Sequence, residues 1–210
     1  MSDEFRWGTA VHEAGHAVAA YVLGRSVTVV TIVAEDDTLG HVKYRRRGQH
    51  WLERLEEADY ASKWGGFIDA RTRRFVEIEV ITSLAGGLAE MKATGQERHE
   101  VGMGLAKVSP AEAAQLAAKL GDGAEFESIV VAGDYRDAFD LAESVSGSPE
   151  EAAAYFSWLH CRTENLLAEP TFWPALEAVA RALCDKGTLK GETFRQVVQQ
   201  GRESVLRRAF

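Results

Sequence analysis

Along the first fifth of the chain, small and apolar residues recur at helical spacing and then give way to a β-branched run. Val11, Gly15, Val18 and Val22 fall three or four positions apart, which predicts a helix; Thr9 is placed to cap its start and Gly24 to end it in a left-handed turn. Val27–Val33 is rich in β-branched residues, Glu35–Asp37 reads as a turn and Leu39–Tyr44 forms a second run, so a β-hairpin follows. Residues 51–64 mix charged and apolar positions and predict a short helix before the Gly65–Gly66 break. A longer helix is expected from Arg71 to Lys92, with Phe75, Ile78, Ile81, Leu84, Ala85 and Leu88 along one broad apolar side. Its Gly86–Gly87 pair is anomalous, because each glycine costs about 1 kcal/mol relative to alanine inside a helix. The pair therefore predicts close approach by another backbone, with the first helix as the natural candidate.

Punctuation makes the second half helical. Ser109-Pro110-Ala111-Glu112 and Ser148-Pro149-Glu150-Glu151 both combine a capping box with proline at the first helical position. The intervening Glu97–Ser128 stretch holds several glycines and one expected short helix, and reads as a variable surface insertion at about 97–128. Helices are expected at 149–168, 172–185 and 191–208. The fold class is thus mainly α with a small β-hairpin or sheet (α+β), in one domain covering residues 1–210.

Composition narrows the classes of function. A chain of 210 residues, 46% hydrophobic, can bury a real core as one domain. The net charge of −8 argues against nucleic acid as a partner, and the basic clusters Arg45–Arg47 and Arg71–Arg74 read as solvated faces. Cys161 and Cys184 are the only cysteines, which argues against a secreted disulfide framework. No apolar run approaches the roughly 18 residues of a membrane span, and the N-terminus lacks a basic-then-apolar signal. The expectation is a soluble, cytoplasmic protein with no membrane insertion.

Against that background His12-Glu13-Ala14-Gly15-His16 carries the chemistry. Residues i and i+4 of a helix share a face, so His12 and His16 can turn ring nitrogens toward one zinc ion, one per chain. Glu13 is next to that position without occupying it, which suits a base that takes a proton from water activated by the metal. The bland alternative is a chance grouping on an alanine-rich helix. Against it, two histidines and a glutamate on an inward small-residue face are costly to bury without a common partner.

A zinc hydrolase needs a third protein ligand and an open position. The metzincin solution fails, since glycine and histidine are wanted where Ala19 and Val22 stand. Acidic residues and His41, His50, His99 and His160 remain. Asp134 leads them: a helix over 134–145 would align Asp134, Ala138, Leu141, Ala142 and Val145, with the acid at its N-terminal end. A plain helix cap explains Asp134 equally well on periodicity alone, and Glu90 is the rival ligand.

These residues carry a family resemblance. Thr9–His16 (TAVHEAGH), Val30–Val33 leading to Leu39-Gly40, Leu84–Glu90 (LAGGLAE), Gly133–Ala142 (GDYRDAFDLA) and Ala182–Glu192 occur in the order found in the peptidase domain of the FtsH-type ATP-dependent zinc metalloproteases, which the chain resembles over nearly its whole length. The resemblance implies a mostly helical zinc endopeptidase domain. His12, His16 and Asp134 would be the metal ligands, Glu13 the catalytic base, and Glu90 a support behind the ligands or a structural residue. An extended substrate would lie along an edge strand, offered here by Val29, Val30, Thr31, Ile32, Val33 and Ala34.

The departures matter too. There is no Walker-type phosphate loop and no transmembrane segment in the sequence, so a stand-alone domain is expected, without motor or anchor. Such a peptidase would cut peptides, unfolded segments or an exposed loop, independently of ATP, unless a separate ATPase or adaptor feeds it. Gly87 stands where the family usually has arginine, which weakens any transfer of subunit contacts, and homo-oligomerisation is left open. Two other classes compete: a non-catalytic peptide-binding protein that keeps the fold, and a scaffold in which the histidines bind no metal.

Overall fold

The computed structural model describes residues 3–34, 39–45, 68–95 and 133–207. In chain order the elements are α1 (Asp3–Val22), β1 (Val27–Thr31), β2 (His41–Tyr44), α2 (Ala70–Thr94), α3 (Gly133–Glu143), α4 (Pro149–Ala168), α5 (Phe172–Lys186), β3 (Thr188–Lys190) and α6 (Gly191–Leu206). The protein is mainly helical with one small antiparallel sheet, the class that the periodicity predicts. The short helix expected at 51–64, the Ser109-Pro110 start and the 97–128 insertion lie outside the described residues. The chain divides into two compact units, Met1–Arg46, Leu84–Gly95 and Thr163–Phe210 forming the first and Arg47–Ser83 and Gln96–Arg162 the second.

The first unit is built around α1. Its Ala10, Val11, Ala14, Ala17 and Val18 are fully buried with Leu176, Val179 and Leu183 of α5 and Phe194 and Val198 of α6. Short side chains let other backbones come close: a Cβ on Gly15 would stand 2.5 Å from the Ala85 carbonyl oxygen of α2. α1 begins six residues before the expected cap. Thr9 lies inside the helix, where its hydroxyl donates to Phe5 O at 3.1 Å. Tertiary contacts hold the added turns, since Arg6 Nη2 donates to Cys184 O at 2.5 Å and Trp7 packs on the core. The end is as expected: Gly24 has φ +85°, and Gly24 N and Arg25 N donate to Tyr21 O and Ala20 O, a Schellman turn.

The hairpin forms as expected, with β1 and β2 antiparallel and Val30 opposite Val42. Val29–Ala34 is not an edge strand, because β1 is the middle strand of the order β2-β1-β3 and Val29, Val30 and Thr31 pair with Lys190, Leu189 and Thr188. Thr188–Lys190 is too short, wedged between two helices, to show alternation in the sequence. Gly187, at φ +74°, turns the chain out of α5 and accepts a hydrogen bond from Ile32 N, while the Thr31 and Thr188 hydroxyls meet at 2.7 Å.

The second unit contains the first half of α2, α3 and most of α4. Asp69 caps α2, its Oδ1 accepting from Arg71 N and Thr72 N at 2.8 and 3.0 Å. Within α2, Val76 and Val80 are fully buried and Ile78, Ile81, Leu84 and Ala85 of the expected stripe are buried, while Phe75 and Leu88 are half-buried. Ala138 and Ala142 of α3, and Val145 in the turn that follows it, are buried at the expected spacing. Tyr135 and Phe139 each set a ring edge against Phe156 of α4, with centroids 5.3 and 5.4 Å apart. The Ser148 signal is realised: Ser148 Oγ accepts from Glu151 N at 3.2 Å, and Glu151 reaches back to Gly147 N at 2.7 Å. Among the described residues no helix is long and apolar enough to cross a membrane.

Candidate metal centre

The burial of α1 sets the problem that its polar residues must solve. Glu13 and His16 are only 7% and 8% exposed, on a helix whose neighbouring residues are alanine, glycine and valine. Ionisable groups so placed need partners. One partner comes from α2, where Glu90 Oε2 lies 3.0 Å from His12 Nδ1. A carboxylate only accepts, so Nδ1 carries the proton and His12 Nε2 is left with its lone pair outward.

His16 Nε2 lies 3.0 Å from His12 Nε2, with the two rings edge to face at a centroid separation of 4.7 Å. Two imidazole nitrogens thus converge on one point from successive turns of α1. Asp134, the acid in the first turn of α3, belongs to the second unit, and with His12 and His16 it makes up a set of residue types that could hold a metal ion.

The donor set fits zinc. Catalytic zinc sites take three protein donors from histidine and carboxylate, and ligands about 2.0–2.1 Å from a tetrahedral ion stand about 3.3 Å apart. The imidazole pair is already near that spacing. A second tier surrounds it, made by the absence of side chains. A Cβ on Gly8 would come within 3.3 Å of Glu90 Oε1, and one on Gly86 would overlap the His16 ring at Nε2, Cε1 and Cδ2. Gly87, by contrast, faces nothing within 4 Å, so only the first glycine of the pair is explained by close approach. What approaches Gly86 is a ring, while the backbone contact expected of the pair falls one residue earlier, at Ala85 against Gly15.

The acids around Asp134 reinforce the negative field there. Asp137 has its carboxyl pushed above the usual range by desolvation first and then by the charges of Asp134 and Asp140, with Arg136 opposing. Of the other residues considered as ligands, His41 opens β2 and His160 lies on α4 with its ring 6.0 Å from that of Tyr135; neither belongs to the metal-competent group. His50 and His99 lie outside the described residues. Val29–Thr31 lie in the middle of the sheet, followed by Ile32 and Val33. Sequence reasoning missed Gly8, because a helix capped by Thr9 leaves that glycine outside it.

No family model matches the chain, and no curated protein matches it either.

Proposed function

We propose that the protein is a zinc metallopeptidase of the FtsH peptidase type, an endopeptidase acting on peptides or unfolded polypeptide. The observation that carries this reading is the convergence of His12 Nε2 and His16 Nε2 at 3.0 Å while Glu90 occupies the other nitrogen of His12. His12 and His16 would hold the metal, with Asp134 the third ligand that the resemblance implies, and zinc would supply Lewis-acid polarisation of a water and of the scissile carbonyl. Glu13 accepts the proton of the attacking water and returns it to the departing amine nitrogen. Glu90 keeps His12 in the tautomer that presents Nε2 and orients its ring. Because β1 is already paired on both sides, an extended substrate does not take its place beside Val29–Thr31.

Glu13→Gln tests the reading. It preserves size and leaves the ligands in place, so zinc content and melting temperature should be retained while peptide turnover falls by about 100-fold or more. Undiminished turnover in that variant would sink the mechanism, and peptide binding without cleavage by the wild type would favour a non-catalytic peptide receptor.

A further inference from the structure

Gly40, the residue before β2, owes its identity to space rather than to backbone angle. The described glycines with positive φ are Gly24, Gly95 and Gly187, and Gly40 is not among them. A Cβ on Gly40 would stand 2.8 Å from Glu13 Oε1, 2.9 Å from Glu13 Cγ and 2.8 Å from the Thr31 carbonyl oxygen. Neither neighbour can step aside easily. Thr31 is fixed from both sides, paired with His41 in β2 and Thr188 in β3. Glu13 is 7% exposed, on a helix packed against fully buried alanines and valines.

We propose that Gly40 is a positioning residue for the Glu13 carboxylate. Bare of a side chain, it lets the start of β2 close onto the acid and fixes where the carboxylate lies. Its consequence for hydrolysis rests on the reading of Glu13 as the proton acceptor. The placement itself does not, and can be measured separately. It also gives the hairpin a function that pairing alone does not: the sheet carries the wall against which the acid is set.

The test is a double-mutant cycle of wild type, Gly40→Ala, Glu13→Ala and the double variant, followed by thermal unfolding of the full chain. Gly40→Ala should lower Tm by about 4 °C or more while Glu13 is present, as overpacking does. In the Glu13→Ala background, where the carboxylate and its stem are gone, the same substitution should lower Tm by less than half as much. Equal losses in both backgrounds overturn the proposal, leaving Thr31 as the sole obstacle. If Gly40→Ala does not fold, folding of the double variant supports the proposal and its failure overturns it. In a peptide-cleavage assay Gly40→Ala should lower kcat by about 100-fold with little change in KM, as a misplaced acid does; wild-type kcat in that variant also overturns the proposal. A wild type that shows the Tm coupling but cleaves no peptide supports the placement and counts against the hydrolase reading alone.

Discussion

Gly86 stands so close to the imidazole of His16 that a Cβ would overlap three atoms of the ring. Helix α2 gives up a stabilising residue there, since glycine in a helix interior costs about 1 kcal/mol against alanine. The empty position lets His16 turn toward His12.

Gly86→Ala and Gly87→Ala are therefore expected to differ in sign. Gly87 faces open space within 4 Å and its replacement should stabilise by up to about 1 kcal/mol. Gly86→Ala should destabilise by about 1–3 kcal/mol and reduce bound zinc, because the ring must move. Urea unfolding with elemental analysis on both variants decides the matter; equal stabilisation by the two would show that the ring is not confined.

Asp134→Ala should lower zinc from near one per chain to a small fraction of that, in protein prepared without added metal. Chelation should lower Tm in the wild type and barely shift it in the variant, because bound metal stabilises the folded state by linkage. Full zinc retention would move the third ligand away from Asp134.

Glu90→Ala should weaken zinc binding by about 10–100-fold without abolishing it, since His12 loses the acceptor for its Nδ1 proton but keeps its place on α1. Competition against a metal indicator reads the change. Complete loss would make Glu90 a ligand itself.

Alkaline stability reports on the second unit. Burial first, and then the charge of Glu77, push the Tyr155 hydroxyl from 10.0 up to about 12, with Arg73 opposing. The folded state keeps a proton that the unfolded chain releases above pH 10. The associated stability is complete below pH 10 and is lost as pH rises toward 12. Urea midpoints should fall across that window in the wild type and fall less in Tyr155→Phe; parallel curves would show that Tyr155 does not titrate late.

Much of this was legible in the residues because local physics dictated it. Ser148-Pro149 placed the start of α4, Gly24 the end of α1, and the His12–His16 spacing the face that carries both rings. The remainder depended on partners remote in sequence. β1 reads as an edge only until Thr188–Lys190 is known to pair with it, and three residues between two helices show no periodicity. Thr9 resembles a cap because the turn before it is held by Arg6 and Trp7, through contacts with α5 and the core. Gly40 looks like ordinary turn glycine, since nothing local says that a carboxylate presses on it.

The pairing of β1 with β3 also has a bearing on how the chain is made. Thr31 and Thr188 meet across 157 positions, so the centre of the sheet is closed only after residues 188–190 have been synthesised. Until then the nascent β1 has one flank with its hydrogen-bonding groups unsatisfied. A product cut short before residues 188–190 would present that flank to any passing strand, including those of other copies. The three residues that complete the sheet thus also guard against aggregation.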